Sequence, residues 1–419
     1  MDDRTKASEL AALAPPPFRN GLENKTGLIR RFPTIAYLRR HAPRHGPRFA
    51  FEYMDGGAGA DDAGIKRNWA ALDAVELVPR YGVTTELPPV DVELFGRRYA
   101  APIGIAPMGG PALVWPGADR FMAQAAQKAR VPYVLGTVGG TTIETAAKIA
   151  PDVLWFQLYR MARNDHWLGF ELMRRCEAAG VHVMVMTVDV PVRTVRPREV
   201  VVGLGGSKFS AGPRMLYEML SSPGWLMSLW QHGQPRFANI KNYAGENAGT
   251  NEVISFARSE IGGAFTWDEI ARFRDKWKKP LVLKGIMHPA DAERAISLGI
   301  DGIWVSNHGG RQIEALPAPI DVLPAIATQV GSRATVLFDS GVRSGLDVVR
   351  ALALGAHAAF AGKAFLWGLG ALGGLGPKHV IDLLIDETRA SLGQIGAKTP
   401  ADARSVVIRH PGALAFPRA

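Results

Sequence analysis

The 419-residue chain is 47% hydrophobic and 21% charged, as in globular proteins with a sizeable core, and its length admits one large domain or two ordinary ones. An excess of 49 Lys and Arg over 39 Asp and Glu favours anionic ligands or surfaces. Without a compact basic block, zinc-ligand spacing or helix-turn-helix pattern, that charge does not point to nucleic acid. The one cysteine, Cys176, excludes an intramolecular disulfide and a multi-cysteine metal site, and within "GFELMRRCEAAG" it reads as a structural thiol.

The N-terminal "MDDRTKASELAALAPPPFRN" begins acidic and has no sustained apolar core, so it does not read as a secretory signal. No run of about 18 apolar residues is present to span a membrane. These features suit a cytoplasmic protein, free or peripheral on the inner face of the membrane. Residues 1–30 read as a flexible lead-in, 31–390 as the folded domain and 391–419 as a C-terminal tail. Within the domain, "TIAYLRRHAPRHGPRFAFEYMDGGAG" predicts one or two helices ended by glycines, forming a cap.

Eight short apolar runs follow. They are "PIGIAP" from Pro102, "YVLGT" from Tyr133, "LWFQLY" from Leu154, "VHVMVMTVD" from Val181, "PLVLKG" from Pro280, "GIWVSN" from Gly302, "TVLFDS" from Thr335 and "AAFAGK" from Ala358. Near-continuous apolar runs suit parallel strands buried on both faces. Amphipathic segments alternate with them, and "HPADAERAISLG" and "SGLDVVRALALG" both end at a helix-stopping glycine. The rhythm predicts an α/β fold, a (β/α)8 TIM barrel with an N-terminal helical cap; a doubly wound open sheet is the alternative.

Between the fourth and fifth runs the rhythm stops, leaving a long loop or insertion over residues 190–265. Its "MLYEMLSSPGWLMSLW" sets Leu216, Met219, Leu220, Leu226, Leu229 and Trp230 roughly on one helical face. That face packs on the barrel or a neighbouring subunit, or it lies in a membrane interface assisted by the basic charge.

Catalytic groups in such barrels sit where strands end at the C-terminal face. The strand ends supply Gln157 and Tyr159, Thr187 and Asp189, Lys284, Ser306 with His308 and Arg311, and Asp339 with Arg343. His308, in the glycine-flanked turn "SNHGGRQ", is a general-base candidate because imidazole titrates near neutrality. Asp189 is placed to orient it, or serves only as a cap. Lys284 suits stabilising developing negative charge or forming a Schiff base, or is simply solvated. Arg311, and Arg196 in "VRPRE", offer forked donors to a carboxylate. The loops "FDSGVRSG" and "AFAGKAF" fall where barrels of this kind often hold phosphate, with Arg343 and Lys363 adding charge. No Walker-type loop or strand-linked GxGxxG appears, which argues against ATP and NAD.

"SNHGGRQ", with "LVLKG" before it and "DSGVR…ALALGA" after it, closely resembles the FMN-dependent L-2-hydroxy acid oxidase and dehydrogenase family over residues 32–390. Members include glycolate oxidase, lactate oxidase, lactate monooxygenase and mandelate dehydrogenase. The resemblance implies FMN as cofactor and oxidation of a lactate- or mandelate-like 2-hydroxy acid to the 2-oxo acid. His308 matches the catalytic base and Asp189 its carboxylate partner. Arg196 and Arg311 match the pair that grips the substrate carboxylate, and Tyr53 and Tyr159 the tyrosines that hydrogen-bond the substrate. Lys284 matches the cation at the flavin N1–C2 edge. Gln157, Thr187, Thr137, Ser306 and the segment Pro107–Met108–Gly109 match positions around the flavin ring. Asp339, Gly341, Arg343, Gly362 and Lys363 match the holders of the ribityl-phosphate tail.

The departures from the family pattern are local. Met108 replaces a hydroxyl-bearing residue, Gly136 a common serine, and Lys363 the usual arginine, so one forked phosphate contact becomes a point charge. Gly109 stands where oxidases of the family usually have alanine and where mandelate dehydrogenase and lactate monooxygenase have glycine, which implies a quinone or other carrier as electron acceptor. The resemblance also implies a homotetramer. Alternatives are an oxygen-using oxidase or lactate 2-monooxygenase and, from other classes, an FMN-barrel isomerase or a flavin-binding protein without catalysis. The arginine pair argues against the isomerase, and intact His308 and Lys284 against the non-catalytic protein.

Overall fold

The computed structural model describes residues 27–83, 87–192, 194–204, 212–235, 237–245 and 247–416. Eight parallel strands close into a barrel: β1 (Ile103–Ile105), β2 (Tyr133–Gly136), β3 (Leu154–Leu158), β4 (Val183–Thr187), β5 (Leu281–Ile286), β6 (Gly302–Val305), β7 (Thr335–Phe338) and β8 (Ala358–Ala361). β8 closes on β1 with Phe360 opposite Gly104. Every one of the eight apolar runs is a barrel strand, and the open-sheet alternative is excluded by closure.

The runs are continuous because each strand is covered outside by helices and inside by side chains. Inside, the Phe360 ring lies 5.5 Å from that of Trp155 and 4.2 Å from that of Trp304. Gly104 leaves room for this filling, since a Cβ there would stand 2.2 Å from the Phe360 ring. The connecting helices start and stop where the sequence signals. Ser344 Oγ caps the helix Gly345–Ala353 by accepting from Asp347 N at 3.0 Å, and Gly355 follows that helix at φ +107°.

The N-terminal cap contains the helix Ile35–His41, then α1 (Arg48–Asp55) and α2 (Ala63–Asp73). The proposed lead-in lies outside the described residues up to 26; the first helix among the described residues is Gly27–Arg31. At the other terminus, Val407–Arg409 pairs antiparallel with Glu76–Val78, fastening the C-terminal segment to the strand that follows the cap.

The insertion after β4 contains α3 (Pro197–Val201), α4 (Pro213–Leu220) and α5 (Pro223–His232). The stretch expected to share one helical face is thus two helices, broken at Ser221–Ser222 ahead of Pro223, whose ring cannot continue the hydrogen-bond ladder. Met215 and Trp225 are buried, while Leu216, Tyr217, Leu220, Met227 and Trp230 are exposed, Trp230 to 82%. After β8, α6 (Lys363–Leu372) begins directly at the strand end, which aims its N-terminus at the mouth of the barrel.

Candidate active site

The turn after β6 is built around His308. Its φ of +59° is followed by +69° at Gly309 and +71° at Gly310, a left-handed run that only glycine tolerates freely. Three hydrogen bonds hold His308 in this uncommon conformation. Ser306 Oγ accepts from His308 N at 3.1 Å, and Ser340 Oγ accepts from Asn307 N at 3.2 Å and Gly309 N at 3.0 Å. Gly310 is needed for a second reason: a Cβ there would lie 2.7 Å from Ile65 N of α2. Asn307 completes the dock through a reciprocal amide pair with Asn68 of α2, at 2.7 and 2.9 Å. Neither asparagine, nor Ser340, stood out in the sequence, because an amide reads as functional only when its distant partner is known.

His308 Nδ1 lies 3.0 Å from Asp189 Oδ1, beyond the end of β4. The backbone bulge at Gly285 permits this approach, since a Cβ at Gly285 would fall 2.4 Å from Asp189 Cβ. Burial pushes the Asp189 carboxyl up, but His308 and then Lys284 outweigh it, so the group sits below the ordinary carboxylate value. Among the described residues, Asp189 Oδ2 has no hydrogen-bond partner although it is buried.

Lys284 is buried at the end of β5. Its ammonium donates to Ser306 Oγ at 2.8 Å and pairs with Asp339 Oδ2 at 3.0 Å. Asp339, matched by the resemblance to the cofactor tail, is therefore the counter-ion of Lys284 here. Across β2, β3 and β4 runs a buried polar ladder. Thr137 Oγ1 donates to Gln157 O at 2.7 Å, Gln157 Oε1 accepts from Thr137 N at 3.3 Å, and Gln157 Nε2 donates to Thr187 Oγ1 at 2.9 Å. The glycine at 136 has a steric cause: a Cβ there would meet the Met108 carbonyl oxygen at 2.8 Å.

Arg311 Nη1 donates to Tyr53 O at 3.0 Å and Gly56 O at 2.8 Å, and its guanidinium lies 5.2 Å from the centre of the Tyr53 ring. The Tyr53 hydroxyl donates to Gly109 O, tying α1 to the end of β1. Arg196 Nε donates to Arg311 O at 3.3 Å. Burial, and then the charge of Arg311, pull the Arg196 guanidinium below its usual value, while Glu199, Tyr53 and Tyr159 act in the opposite sense. Those influences place Arg196 among the two tyrosines and the second arginine that the sequence singled out. Tyr159 N donates to Thr137 Oγ1 at 3.3 Å.

A clasp that the sequence did not reveal holds this corner together. Arg198 of α3 pairs with Glu52 at 2.6 Å, Asp62 at 2.8 Å and Asp55 at 3.1 Å, linking the insertion to the cap. Glu199 meets both Arg311 and Arg196. The Pro197 helix start and the three-residue spacing from Arg196 to Glu199 were the only available signals.

One cavity is lined by Tyr53, Lys284, His308, Arg311, Arg343 and Lys363. Gly341, Gly362 and the N-terminus of α6 also line it. A buried ammonium, and two cations beside a helix N-terminus, fit a ligand that carries an anionic group. Lys363 also has partners within the chain. Its ammonium donates to the Met54, Asp55 and Gly56 carbonyls at 3.1, 3.2 and 2.7 Å, capping the C-terminal end of α1. Arg343 is likewise engaged, with Asp73 at 2.6 Å and Asp347 at 3.4 Å.

Comparison with known proteins identifies the family. The L-lactate dehydrogenase of Caulobacter sp. (strain K31) is 36% identical over 363 residues, covering 86% of this chain and 94% of that protein. The L-lactate dehydrogenase of Vibrio parahaemolyticus serotype O3:K6 is 35% identical over 367 residues, 87% of this chain and 96% of its own length. Among solved structures, the monotopic membrane protein (S)-mandelate dehydrogenase superposes with a TM-score of 0.84 at 31% identity, covering 90% of this chain and 99% of that one. Mandelate oxidase with (S)-4-hydroxymandelic acid gives 0.77 at 32% identity, over 91% and 100% of the two chains. Residues 42–410 match the FMN-dependent dehydrogenase family; the chain belongs to that family, and FMN is its cofactor.

Proposed function

We propose that the protein oxidises an L-2-hydroxy acid, lactate- or mandelate-like, to the 2-oxo acid and passes the electrons to a quinone or other carrier. The observation that carries the reading is the His308–Asp189 pair, 3.0 Å apart, in the same mouth as Arg311, Tyr53 and the buried Lys284. An ionised Asp189 accepts from Nδ1 of His308, which leaves Nε2 free to accept a proton from the substrate. Asp189 then stabilises the imidazolium. Arg311 and Arg196 hold the substrate carboxylate, and Tyr53 and Tyr159 hydrogen-bond the substrate so that one face of Cα is presented for reaction.

Bound FMN supplies the two-electron acceptor. Pro107, Met108, Gly109, Thr137, Gln157, Thr187, Lys284 and Ser306 would surround its ring. Gly341, Arg343 and Gly362 would hold its tail, with Asp339 acting through Lys284 and Lys363 through the α1 carbonyls. Burial of Lys284 against Asp339 and Ser306 fixes its charge at one place, as electrostatic stabilisation requires.

The acceptor reading is supported by the exposed Leu216, Tyr217, Leu220, Met227 and Trp230 of α4 and α5, which suit contact with a membrane surface. Among the described residues, no helix is long and apolar enough to cross one. The test is anaerobic addition of a panel of 2-hydroxy acids to purified yellow protein. Bleaching of the flavin by L-acids is expected; a flavin that no 2-hydroxy acid bleaches overturns the reading.

A further inference from the structure

The proposed grip for the substrate carboxylate already holds a carboxylate of the chain itself. Glu199 Oε1 accepts from Arg311 Nη2 at 2.5 Å and from Arg196 Nη1 at 3.4 Å, so one oxygen serves both guanidinium groups. The contact follows from the start of α3. Arg196 is its N-cap, Pro197 its first residue, and Glu199 N donates to Arg196 O at 3.0 Å, which turns the glutamate back toward the pair. The three side chains are only 14–25% exposed, so their charges are weakly screened.

Glu199 is not needed to orient Arg311, which the Tyr53 and Gly56 carbonyls and the face of Tyr53 already fix. Nor does Glu199 anchor α3, since Arg198 does so through Glu52, Asp55 and Asp62. What it does supply is a negative charge between two guanidinium groups that would otherwise stand close, partly buried and uncompensated. A substrate carboxylate supplies the same charge to the same donors.

We propose that Glu199 is an internal competitor for the substrate carboxylate: it occupies Arg196 and Arg311 in the resting site, and an incoming 2-hydroxy acid displaces its side chain, so that Glu199 sets the affinity for acids. The inference rests on the arginine pair being the carboxylate grip. Because Arg198 keeps α3 docked, the displacement is a side-chain rotation rather than a movement of the insertion.

The test measures binding of phenylacetate, a carboxylate with no hydroxyl to oxidise, and of neutral phenylacetamide to the FMN-loaded protein through the flavin absorbance change. Glu199→Gln is expected to bind phenylacetate about tenfold more tightly, the scale of one charge-assisted hydrogen bond, with phenylacetamide unchanged. KM for the 2-hydroxy acid should fall with it while kcat stays within about twofold. Glu199→Ala, measured in parallel with flavin content as the check on folding, should also tighten phenylacetate binding. If both variants bind it equally or more weakly while Arg311→Met loses it, Glu199 is a strut and the inference is overturned while the grip stands. If Arg311→Met changes nothing either, the grip itself fails, and the inference with it.

Discussion

His308 Nδ1 and Asp189 Oδ1 lie 3.0 Å apart, although 119 positions separate them in the chain. The contact fixes the imidazole from behind, and the left-handed backbone at His308 fixes it from below. Both constraints serve one ring nitrogen, Nε2. Replacing His308 by Ala should leave FMN bound and slow anaerobic flavin reduction by ~10^2–10^4-fold. Asp189→Asn should also slow reduction, because it removes the charge that stabilises the imidazolium. Stopped-flow reduction is the measurement, and an unchanged rate in His308→Ala would remove the base from the mechanism.

Arg311→Met should weaken carboxylate substrates by about 1.5–3 kcal/mol, the scale of a charged hydrogen bond with little solvent. A neutral 2-hydroxyamide should lose less. It will lose something, because Arg311 also ties the Tyr53 and Gly56 carbonyls and so steadies α1. Comparing kcat/KM for the acid and its amide separates the two parts; equal losses would assign Arg311 to the scaffold alone.

The barrel was legible because strands covered on both faces cannot hide their apolar runs, and the strand ends located His308, Asp189, Lys284 and Arg311. Contacts that depend on the insertion were not legible. Arg198 and Glu199 read as ordinary charges of a short helix until the fold carries them to α1 and Arg311. Lys363 shows the same limit: its position at the start of α6 suggests phosphate, and nothing local in the sequence shows that the end of α1 offers it three carbonyls as well. The pairing of α4 with α5 was missed because the apolar spacing continues across Ser221–Ser222 while the hydrogen-bond ladder does not.

His357 gives the barrel a pH dependence of its own. Its Nδ1 accepts from Val336 N of β7 at 3.0 Å, and burial, then Arg404, push its pKa from 6.5 down to about 4. The folded state thus prefers the neutral ring, and the unfolded chain binds the proton first. This contribution is complete above about pH 6.5, falls as the pH drops and is gone below about 4, a loss on the order of 2 kcal/mol for a mostly buried group. His357→Asn keeps an acceptor that does not titrate there. Its thermal midpoint should therefore fall less than that of the parent between pH 7 and pH 4.5; parallel falls would assign the acid sensitivity elsewhere.

The exposed apolar residues of α4 and α5 predict membrane binding without insertion. Co-sedimentation with anionic vesicles should be measurable and should drop on replacing Leu220 and Trp230 by Ser, with flavin reduction in solution unchanged. Each removes a large exposed side chain, and neither contacts the cavity. Equal co-sedimentation of parent and variant would mean that this face packs on protein rather than lipid.

The proposed electron acceptor can be tested at Gly109. A Cβ at this position would stand 3.2 Å from Val138 Cγ2 and 3.9 Å from the Tyr53 hydroxyl. Alanine therefore fits if Val138 yields by a few tenths of an ångström, and its methyl would lie against the tyrosine that closes the mouth. The competing explanation is that Gly109 makes room for Met108. Met108 Cγ and Sδ lie 3.6 and 3.7 Å from where a Cβ of Gly362 would be. Whatever Met108 requires, a methyl at 109 would press on Val138 and reach Tyr53, changing packing and water access together. With glycine in place, the reduced enzyme should react slowly with oxygen and faster with a soluble quinone. Gly109→Ala should raise the oxygen rate while leaving reduction by substrate within about an order of magnitude, provided Tyr53 keeps its bond to the carbonyl of residue 109. Stopped-flow reoxidation of the two proteins by oxygen and by quinone decides the matter. Rapid oxygen reoxidation of the parent with peroxide release would make the protein an oxidase, and an unchanged oxygen rate in Gly109→Ala would show that the methyl does not control the acceptor.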